Sequence, residues 1–235
     1  DYNNIARIFK KHGIKREDVF ITTKVNIDAF YYGGYKYGIH RILNRRNNVS
    51  IEQAVQKSFD NLDTEYIDLF LIHNPWKIFM DMWKVLEKFY KEGRIRAIGV
   101  SNFMIHHLEA LLETADIKPH VNQVLLAPGC TQDELVAFCR QHEILLEAYS
   151  PLGTGSIFDN PVAQELAAKY GKSVAQLALR WSLQKGFLPL PKSVTPQNIE
   201  ANLQIFDFEL SKDDVIQLDK LDGIKSQKNP DEVDF

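Results

Sequence analysis

The amino-acid sequence predicts an α/β fold made of repeated strand and helix units. Short runs rich in Ile, Val, Leu, Phe and Tyr recur along the chain, separated by longer stretches with helical spacing of apolar residues. That alternation is typical of parallel βα units. The chain has 235 residues, 45% hydrophobic and 25% charged, which is enough for one sizeable core. We therefore expect a single domain over residues 1–235.

The apolar runs predict seven strands with room for a helix after each. The strands are expected at Phe20–Lys24, Tyr66–His73, Arg96–Asn102, His120–Val124, Ile144–Ser150, Phe187–Ser193 and Ile205–Phe208. The fold class we predict is a (β/α)8 TIM barrel whose first strand is missing from the sequence. An open doubly wound sheet is the alternative that strand count alone leaves open.

The helices are predicted from apolar faces and from the residues that begin or end a helix. Gly13 and Gly93 stand where the first and third helical stretches should end. The segment Pro161–Gly186 is expected to hold two helices broken near Gly171, with Ser173 as the N-cap of the second. Because the chain opens on a helix, the first βα unit has lost its strand. A barrel with two unpaired edges is disfavoured, so we expect the complete protein to extend upstream.

Charge, cysteine content and hydropathy narrow the partners and the compartment. The net charge of −3 and the pI of 6.2 give no basic field, so we expect no nucleic-acid partner. Cys130 and Cys139 form no CxxC pair and no zinc-ligand spacing, so no metal site is predicted and a reducing compartment is indicated. No long apolar run and no signal peptide are evident. We expect a cytoplasmic protein without membrane contact.

Polar side chains stand at the C-terminal ends of six predicted strands. They are Lys24, His73, Ser101 with Asn102, Gln123, Tyr149 with Ser150, and Lys192 with Ser193. In parallel barrels the working residues lie at this end of the strands, so the shared position indicates one site. The sequence has no HExxH, GxSxG, GxGxxG or P-loop motif and no pair of carboxylates at strand ends. Zinc proteolysis, serine hydrolysis, Rossmann binding, P-loop chemistry and glycoside hydrolysis therefore have no support.

The same side chains suit a nicotinamide nucleotide. Asn102 and Gln123 can hydrogen-bond a carboxamide, and Tyr149 can stack on a flat ring. Lys192 and Ser193, placed before a predicted helix, can hold a phosphate. The combination favours a nicotinamide cofactor over the other ligands considered.

The sequence resembles the aldo-keto reductase family from about Ile5 to its C-terminus. The matching segments are Arg16–Lys24, Tyr66–His73, Gly93–Phe103, Val121–Val124, Ala148–Gly153 and Leu190–Val194, in the family's order. The resemblance implies a (β/α)8 barrel that reduces small-molecule aldehydes or ketones with NADPH, NADH also being possible. We expect the protein to be a monomer.

The family uses a catalytic tetrad of Asp, Tyr, Lys and His, and two of its members have matches here. Lys24 matches the lysine and His73 the histidine. In the family, hydride passes from nicotinamide C4 to the carbonyl carbon while the tyrosine protonates the oxygen and the histidine orients the carbonyl. An adjacent ammonium makes a tyrosine a better proton relay. The aspartate and tyrosine positions precede Asp1; a short deletion in the first helix would instead make Tyr2 the tyrosine.

The resemblance also implies residues that bind the cofactor. Ser101, Asn102 and Gln123 match the carboxamide set; Tyr149 matches the stacking ring; Ser150, Leu152 and Thr154 match the pyrophosphate loop; and Lys192, Ser193 and Asn202 match the 2′-phosphate and adenine positions. Asn198 occupies a further cofactor-binding position of this last group.

The sequence departs from the family pattern at several of these places. Asn198 stands where the family usually has an arginine that pairs with the 2′-phosphate, which weakens the case for NADPH over NADH, although Lys192 favours NADPH. Asn26 and Asn74 replace aromatic residues, so we expect a more polar substrate pocket. The family's Glu and His after the Asn-Gln motif are Leu125 and Ala127, which we interpret as a local packing change.

Two further features have no assigned role. The segment Ile27–Val49 is longer than the family's usual link and carries four tyrosines and three arginines; it is interpreted as a surface insertion, with a substrate lid as the alternative. Glu147 lies on the same strand face as Tyr149 and should point into the barrel, but the sequence offers no partner for it.

Two other functions compete with a reductase. One is a non-catalytic nicotinamide-binding barrel of the potassium-channel β-subunit type. The other is a barrel lyase or isomerase that forms a Schiff base on Lys24. The Tyr149 and Lys192 segments have no task in the second of these.

Overall fold

Helices and strands alternate along the chain in the computed structural model, which describes residues 2–25, 50–224 and 230–231, with side chains from residue 5 onward. These residues form two compact units that meet in sequence at His120. The first holds α1 (Tyr2–His12), β1 (Thr22–Val25), α2 (Ile51–Leu62), β2 (Ile67–Ile72), α3 (Phe79–Lys91), β3 (Ile95–Ser101) and α4 (Ile105–Thr114). The second holds β4 (Val121–Leu125), α5 (Asp133–Gln141), β5 (Leu145–Tyr149), α6 (Pro161–Lys169), α7 (Val174–Gln184), β6 (Leu188–Leu190), α8 (Pro196–Leu203) and α9 (Lys212–Asp219).

The first unit is built on a parallel sheet in which β2 lies between β1 and β3. Lys24 of β1 is opposite Leu71, and Leu71 is opposite Gly99 of β3. All six residues of β2 are buried, as expected for a strand of a parallel sheet that is covered on both faces. Because the strands are parallel, their carboxyl ends meet at one edge, and that edge carries Lys24 and Ser101.

Helices α2 and α3 cover this sheet with their apolar faces. The rings of Phe59 and Phe89 stack with their centroids 5.8 Å apart, and the Trp83 indole is buried with its Nε1 donating to the Ile117 carbonyl at 3.1 Å. Ser50 is the N-cap of helix α2, and its side chain accepts from the Gln53 backbone N–H in a capping box. Both helices thus bury an apolar face, as expected for helices that were predicted from the spacing of their apolar residues.

The second unit repeats the arrangement with β5 between β4 and β6, again all parallel. Ser173 caps α7 as predicted, and its hydroxyl accepts from the Gln176 backbone N–H. Gly171, with φ of 61°, separates α6 from α7 because this left-handed conformation costs glycine little. The predicted break between these two helices is confirmed.

The predicted seventh strand at Ile205–Phe208 is wrong. The segment has no ladder partner among the described strands; instead, side chains of α7 donate to the carbonyl of its first residue and to that of the residue just before it. Arg180 Nη1 donates to the Ile205 carbonyl at 3.2 Å, and Gln176 Nε2 donates to the Gln204 carbonyl at 3.1 Å. A strand requires backbone partners, so the β-branched and aromatic composition that suggested one was overridden by helix–loop hydrogen bonds.

Some sequence predictions fall outside the described residues. They concern the Tyr2 side chain, Asn26 and the Ile27–Val49 insertion. Within the described part of the chain, no helix combines the length and the apolar character needed to cross a membrane.

Candidate functional site

Lys24 and Ser101 are joined at the carboxyl edge of the first unit's sheet. Lys24 Nζ donates to Ser101 Oγ at 3.3 Å across the width of β2. Ser101 is fully buried, and Lys24 is half-buried. The sequence assigned one residue to catalysis and the other to the cofactor, and the structure brings these two together.

His73 follows β2 directly and lies at the same edge. Burial, and to a smaller extent the positive charge of Lys24, hold the pKa of His73 below its ordinary value of 6.5. The imidazole is therefore neutral at physiological pH and can donate one N–H to a carbonyl oxygen. Its ring meets the Trp76 ring edge to face, with the centroids 6.3 Å apart. Trp76 was not predicted from the sequence as a neighbour of the histidine.

Asn102 occupies a strained position behind His73. Its φ is 63°, and its Nδ2 lies 3.1 Å from the His73 carbonyl, 2.9 Å from Asn74 Oδ1 and 3.3 Å from Ser101 Oγ. A left-handed conformation at a residue other than glycine is costly and is characteristic of functional sites. Asn74 is 4% exposed. Its amide oxygen thus accepts a hydrogen bond from Asn102, the asparagine predicted to bind the cofactor. No local sequence pattern indicates this contact.

In the second unit, Gln123 and Glu147 are opposite each other on β4 and β5. Gln123 Nε2 donates to Glu147 Oε2 at 2.7 Å, and both side chains are at least nine-tenths buried. Glu147, for which the sequence offered no partner, therefore bonds to the predicted carboxamide-binding glutamine.

Tyr149 ends β5 two residues after Glu147 and is half-buried. Burial, and to a lesser degree the neighbouring Cys130 thiol group, raise the pKa of Tyr149 to about 12. The phenol is therefore uncharged at physiological pH, which suits a ring that stacks on a flat ligand.

The loop after Tyr149 turns through a series of left-handed residues. Ser150, Gly153, Thr154 and Gly155 have φ of 49°, 56°, 53° and 98°. A Cβ on Gly153 would lie 2.8 Å from Ser156 Oγ and 2.9 Å from an Ile224 methyl carbon, so only glycine fits there. Strained turns of this kind expose successive backbone N–H groups, which is how proteins cradle phosphates. The predicted pyrophosphate loop, with Leu152 inside it, is a turn of this kind, within which the Gly153 and Gly155 N–H groups donate to the Ser150 and Leu152 carbonyls at 2.9 Å.

A cavity of about 690 Å³ lies beside β6 and α8, entirely within the second unit. Lys192, Ser193 and Asn202 line it, whereas Asn198 does not. Its remaining wall is apolar and includes residues that the sequence did not assign to the site: Leu179, Leu183, Leu188, Pro189, Pro191, Ile199, Leu203, Ile205 and Phe206. Ile199 and Leu203, four residues apart on α8, give the periodic signal that could have revealed this wall.

The chain is similar to known reductases over most of its length. The family model described as the aldo/keto reductase family matches residues 2–223. The glyoxal reductase of Bacillus subtilis is 46% identical over 232 residues, covering 96% of this chain and 77% of that protein.

Solved structures agree with this similarity. An aldo/keto reductase from Brucella melitensis is 37% identical with a TM-score of 0.82, over 94% of this chain and 80% of the other. An aldo-keto reductase of Bombyx mori, solved in complex with NADP, is 31% identical with a TM-score of 0.78, over 94% and 74% of the two chains.

These likenesses bear out the α/β barrel class, of which the six described strands form part, and the reductase chemistry expected from the sequence. The chain belongs to the aldo-keto reductase family, and it is an oxidoreductase that reduces carbonyl compounds with NADPH.

Proposed function

We propose that the protein reduces small α-oxo aldehydes with NADPH, using Lys24 and His73 for the chemistry. The observation that carries this proposal is the hydrogen bond from Lys24 Nζ to Ser101 Oγ at 3.3 Å. It ties the catalytic cation to a carboxamide-binding hydroxyl within one unit. A reductase requires these two groups to lie close together, because the hydride donor and the proton-transfer groups must act on the same carbonyl.

His73 and Lys24 have separate roles in this proposal. Neutral His73 donates an N–H to the substrate oxygen and orients the carbonyl, which its lowered pKa supports. The Lys24 ammonium makes an adjacent tyrosine hydroxyl a better acid, in the way the family's lysine does. Bound NADPH supplies the hydride from its dihydronicotinamide ring.

The remaining site residues hold the cofactor. Ser101, Asn102 and Gln123 bind the carboxamide, and Tyr149 stacks on the nicotinamide. The Ser150–Thr154 loop binds the pyrophosphate through its strained backbone. Lys192, Ser193 and Asn202 bind the 2′-phosphate and adenine, supported by their shared cavity of about 690 Å³. Asn198 lies between Ser193 and Asn202 in the sequence.

The substrate class is inferred from the relatives and from the chemistry beside His73. The 46% identical Bacillus subtilis protein is named as a glyoxal reductase, and glyoxal is the smallest α-oxo aldehyde. Asn74 stands where the family usually has an aromatic residue after the histidine, and its buried side chain bonds to Asn102, while the Trp76 ring packs against His73. The polar side chains of Lys24 and His73 at this edge suit a short dicarbonyl better than a long apolar aldehyde.

We also propose that both units belong to one barrel domain, residues 1–235, and that the protein acts as a monomer in the cytoplasm. The family match runs through the boundary between the units, which supports the single domain. The two cysteines are buried and unpaired with each other, as is usual in a reducing compartment.

A comparison of methylglyoxal with propanal tests the function. The two aldehydes have the same number of carbons and differ only in the α-oxo group. We expect NADPH to quench tryptophan emission on binding, and kcat/KM for methylglyoxal to exceed that for propanal by about tenfold or more, as for a site that binds the second oxygen. Equal values would overturn the substrate class. Tight NADPH binding without reduction of any carbonyl would favour the non-catalytic barrel instead.

A further inference from the structure

Glu147 is a buried carboxylate without an evident structural task. It is 5% exposed on β5, flanked in sequence by the buried Leu146 and Ala148. Within the described part of the chain, its carboxylate accepts one hydrogen bond, from Gln123 Nε2 at 2.7 Å. Burying a carboxylate with so few partners is costly, and an apolar residue of similar size would commonly be as stable or more so. Its presence at this buried position points to a role in the site.

The hydrogen bond between these two residues fixes which way the glutamine amide faces. A carboxylate oxygen accepts hydrogen bonds, and the group of Gln123 that faces it is the NH₂. The amide oxygen then points to the other side. The oxygen and nitrogen of an amide have nearly the same size, so packing alone would not select one orientation.

We propose that Glu147 is a positioning residue for the cofactor, which holds the Gln123 oxygen toward the nicotinamide so that it accepts from the carboxamide NH₂. The inference rests on the proposed function, because it assumes that Gln123 meets the carboxamide. It goes further in assigning a role to a residue outside the set that contacts the cofactor. Glu147 thereby makes the site selective for a pyridine ring that carries a hydrogen-bond donor.

Replacing the Glu147 carboxylate should therefore cause a specific defect in cofactor binding. A glutamine at position 147 can both donate and accept, so it tolerates either orientation of Gln123. A leucine accepts no hydrogen bond and releases the amide altogether. Both changes should weaken the binding of a cofactor that offers an NH₂ to Gln123. Neither should weaken the binding of a cofactor that offers a methyl group in its place.

The test measures equilibrium binding of NADPH and of its reduced 3-acetylpyridine analogue, in which a methyl group replaces the carboxamide NH₂. Titrations by tryptophan quenching compare the unaltered protein with Glu147→Gln, Glu147→Leu and the exchanged pair Gln123→Glu with Glu147→Gln. Glu87→Gln is the matched control, because Glu87 is another buried glutamate and accepts from the Ile117 backbone N–H at 2.8 Å. Thermal unfolding verifies that each variant is folded.

We expect the unaltered protein to prefer NADPH to the analogue and both single changes to reduce that preference about tenfold, as for the loss of one oriented hydrogen bond. The exchanged pair should restore it, because the carboxylate introduced on β4 would accept both from the amide introduced on β5 and from the carboxamide. The role of Glu147 would be overturned if the single changes weakened the binding of both cofactors equally or did not weaken binding at all. It would also be overturned if the exchanged pair folded but did not restore the preference. If the unaltered protein does not bind NADPH, the proposed function itself fails.

Discussion

The hydrogen bond from Lys24 Nζ to Ser101 Oγ, 3.3 Å long, places the cation that we propose as catalytic beside a hydroxyl that the family pattern assigns to the cofactor. The same cation acts on His73, since its charge is the second cause, after burial, of the lowered pKa of that histidine. One lysine thus influences both the cofactor side and the substrate side of the first unit's site.

Replacing Lys24 with methionine should raise the pKa of His73 toward its ordinary value of 6.5 without fully restoring it, because burial remains. Imidazole proton shifts followed by NMR across pH measure this directly. Lys84→Met, an exposed lysine on α3, is the control. An unchanged His73 titration would show that Lys24 does not act on it electrostatically.

The lowered pKa of His73 also links pH to stability. The unfolded chain binds a proton near pH 6.5, whereas folded His73 binds it only at lower pH. The unfolded state therefore holds more protons in that window, and stability falls as pH falls from about 6.5 toward the folded pKa. Chemical denaturation at a series of pH values should show a smaller loss over this range in Lys24→Met than in the unaltered protein.

Replacing Lys192 with alanine should weaken NADPH binding by about 1–3 kcal/mol, as expected for losing a charge-assisted hydrogen bond to the 2′-phosphate. NADH binding should weaken much less, because NADH has no 2′-phosphate. Lys192 lines the second unit's cavity. Calorimetric titration of both cofactors provides the measurement, with the exposed Lys212→Ala as control. Equal losses for NADPH and NADH would remove Lys192 from the phosphate site.

Replacing Asn198 with arginine should sharpen the preference for NADPH over NADH. The change supplies a planar cation that can pair with the 2′-phosphate in a bidentate manner. Asn198 is exposed near the start of α8, next to the cavity-lining residue Ile199. The neighbouring exposed Gln197→Arg adds the same charge one position away. If both variants change the ratio of the two dissociation constants equally, the effect comes from the added positive charge wherever it stands. The assignment of Asn198 to the 2′-phosphate site would then be wrong.

Replacing Tyr170 with phenylalanine should destabilise the second unit by about 1–2 kcal/mol at neutral pH, the range for a hydrogen bond to a charged group. Hydrogen bonds from Lys169 and from the Tyr170 hydroxyl are the main causes that hold the pKa of Asp214 at about 2, below its usual 3.8. The stabilisation is present above about pH 3.8 and is lost as pH falls toward 2.

Urea denaturation at neutral and acidic pH tests this prediction. The difference between the protein and Tyr170→Phe should narrow as Asp214 becomes protonated. Tyr90→Phe, a half-buried tyrosine whose ring lies against His120, is the control and should have a smaller effect. A difference that does not vary with pH would mean that the Tyr170 hydroxyl acts independently of the carboxylate.

The sequence predicted the strands well because strand signals are local. The buried run Ile67–Ile72 was recognisable from its apolar residues alone, and Ser173 was recognisable as a helix cap. The segment Ile205–Phe208 has the same kind of composition, yet side chains of Gln176 and Arg180 bond to backbone carbonyls at its start. Composition cannot distinguish these outcomes, because hydrogen-bond partners are decided by tertiary structure.

The candidate site residues were predicted from the family pattern, whereas the side-chain contacts that hold them in place were not. The family pattern places Asn74 in the substrate pocket, but its side chain bonds to Asn102. Glu147 had no predicted partner until register placed Gln123 opposite it. Both contacts join residues more than twenty positions apart in sequence, and nothing in the local pattern of either residue specifies the other.

The effect of Lys24→Met on catalysis and on cofactor binding, measured in the same preparation, separates a role of Lys24 in proton transfer from a role in holding the cofactor. Carbonyl reduction is measured as NADPH oxidised with methylglyoxal, and NADPH binding as quenching of tryptophan emission, with Lys84→Met as control. We expect kcat to fall by about 10²-fold or more, the scale of losing a group that assists proton transfer, while the NADPH Kd changes only a few-fold. Unaltered kcat in Lys24→Met, or an unaltered protein that binds NADPH and reduces no carbonyl, would contradict it.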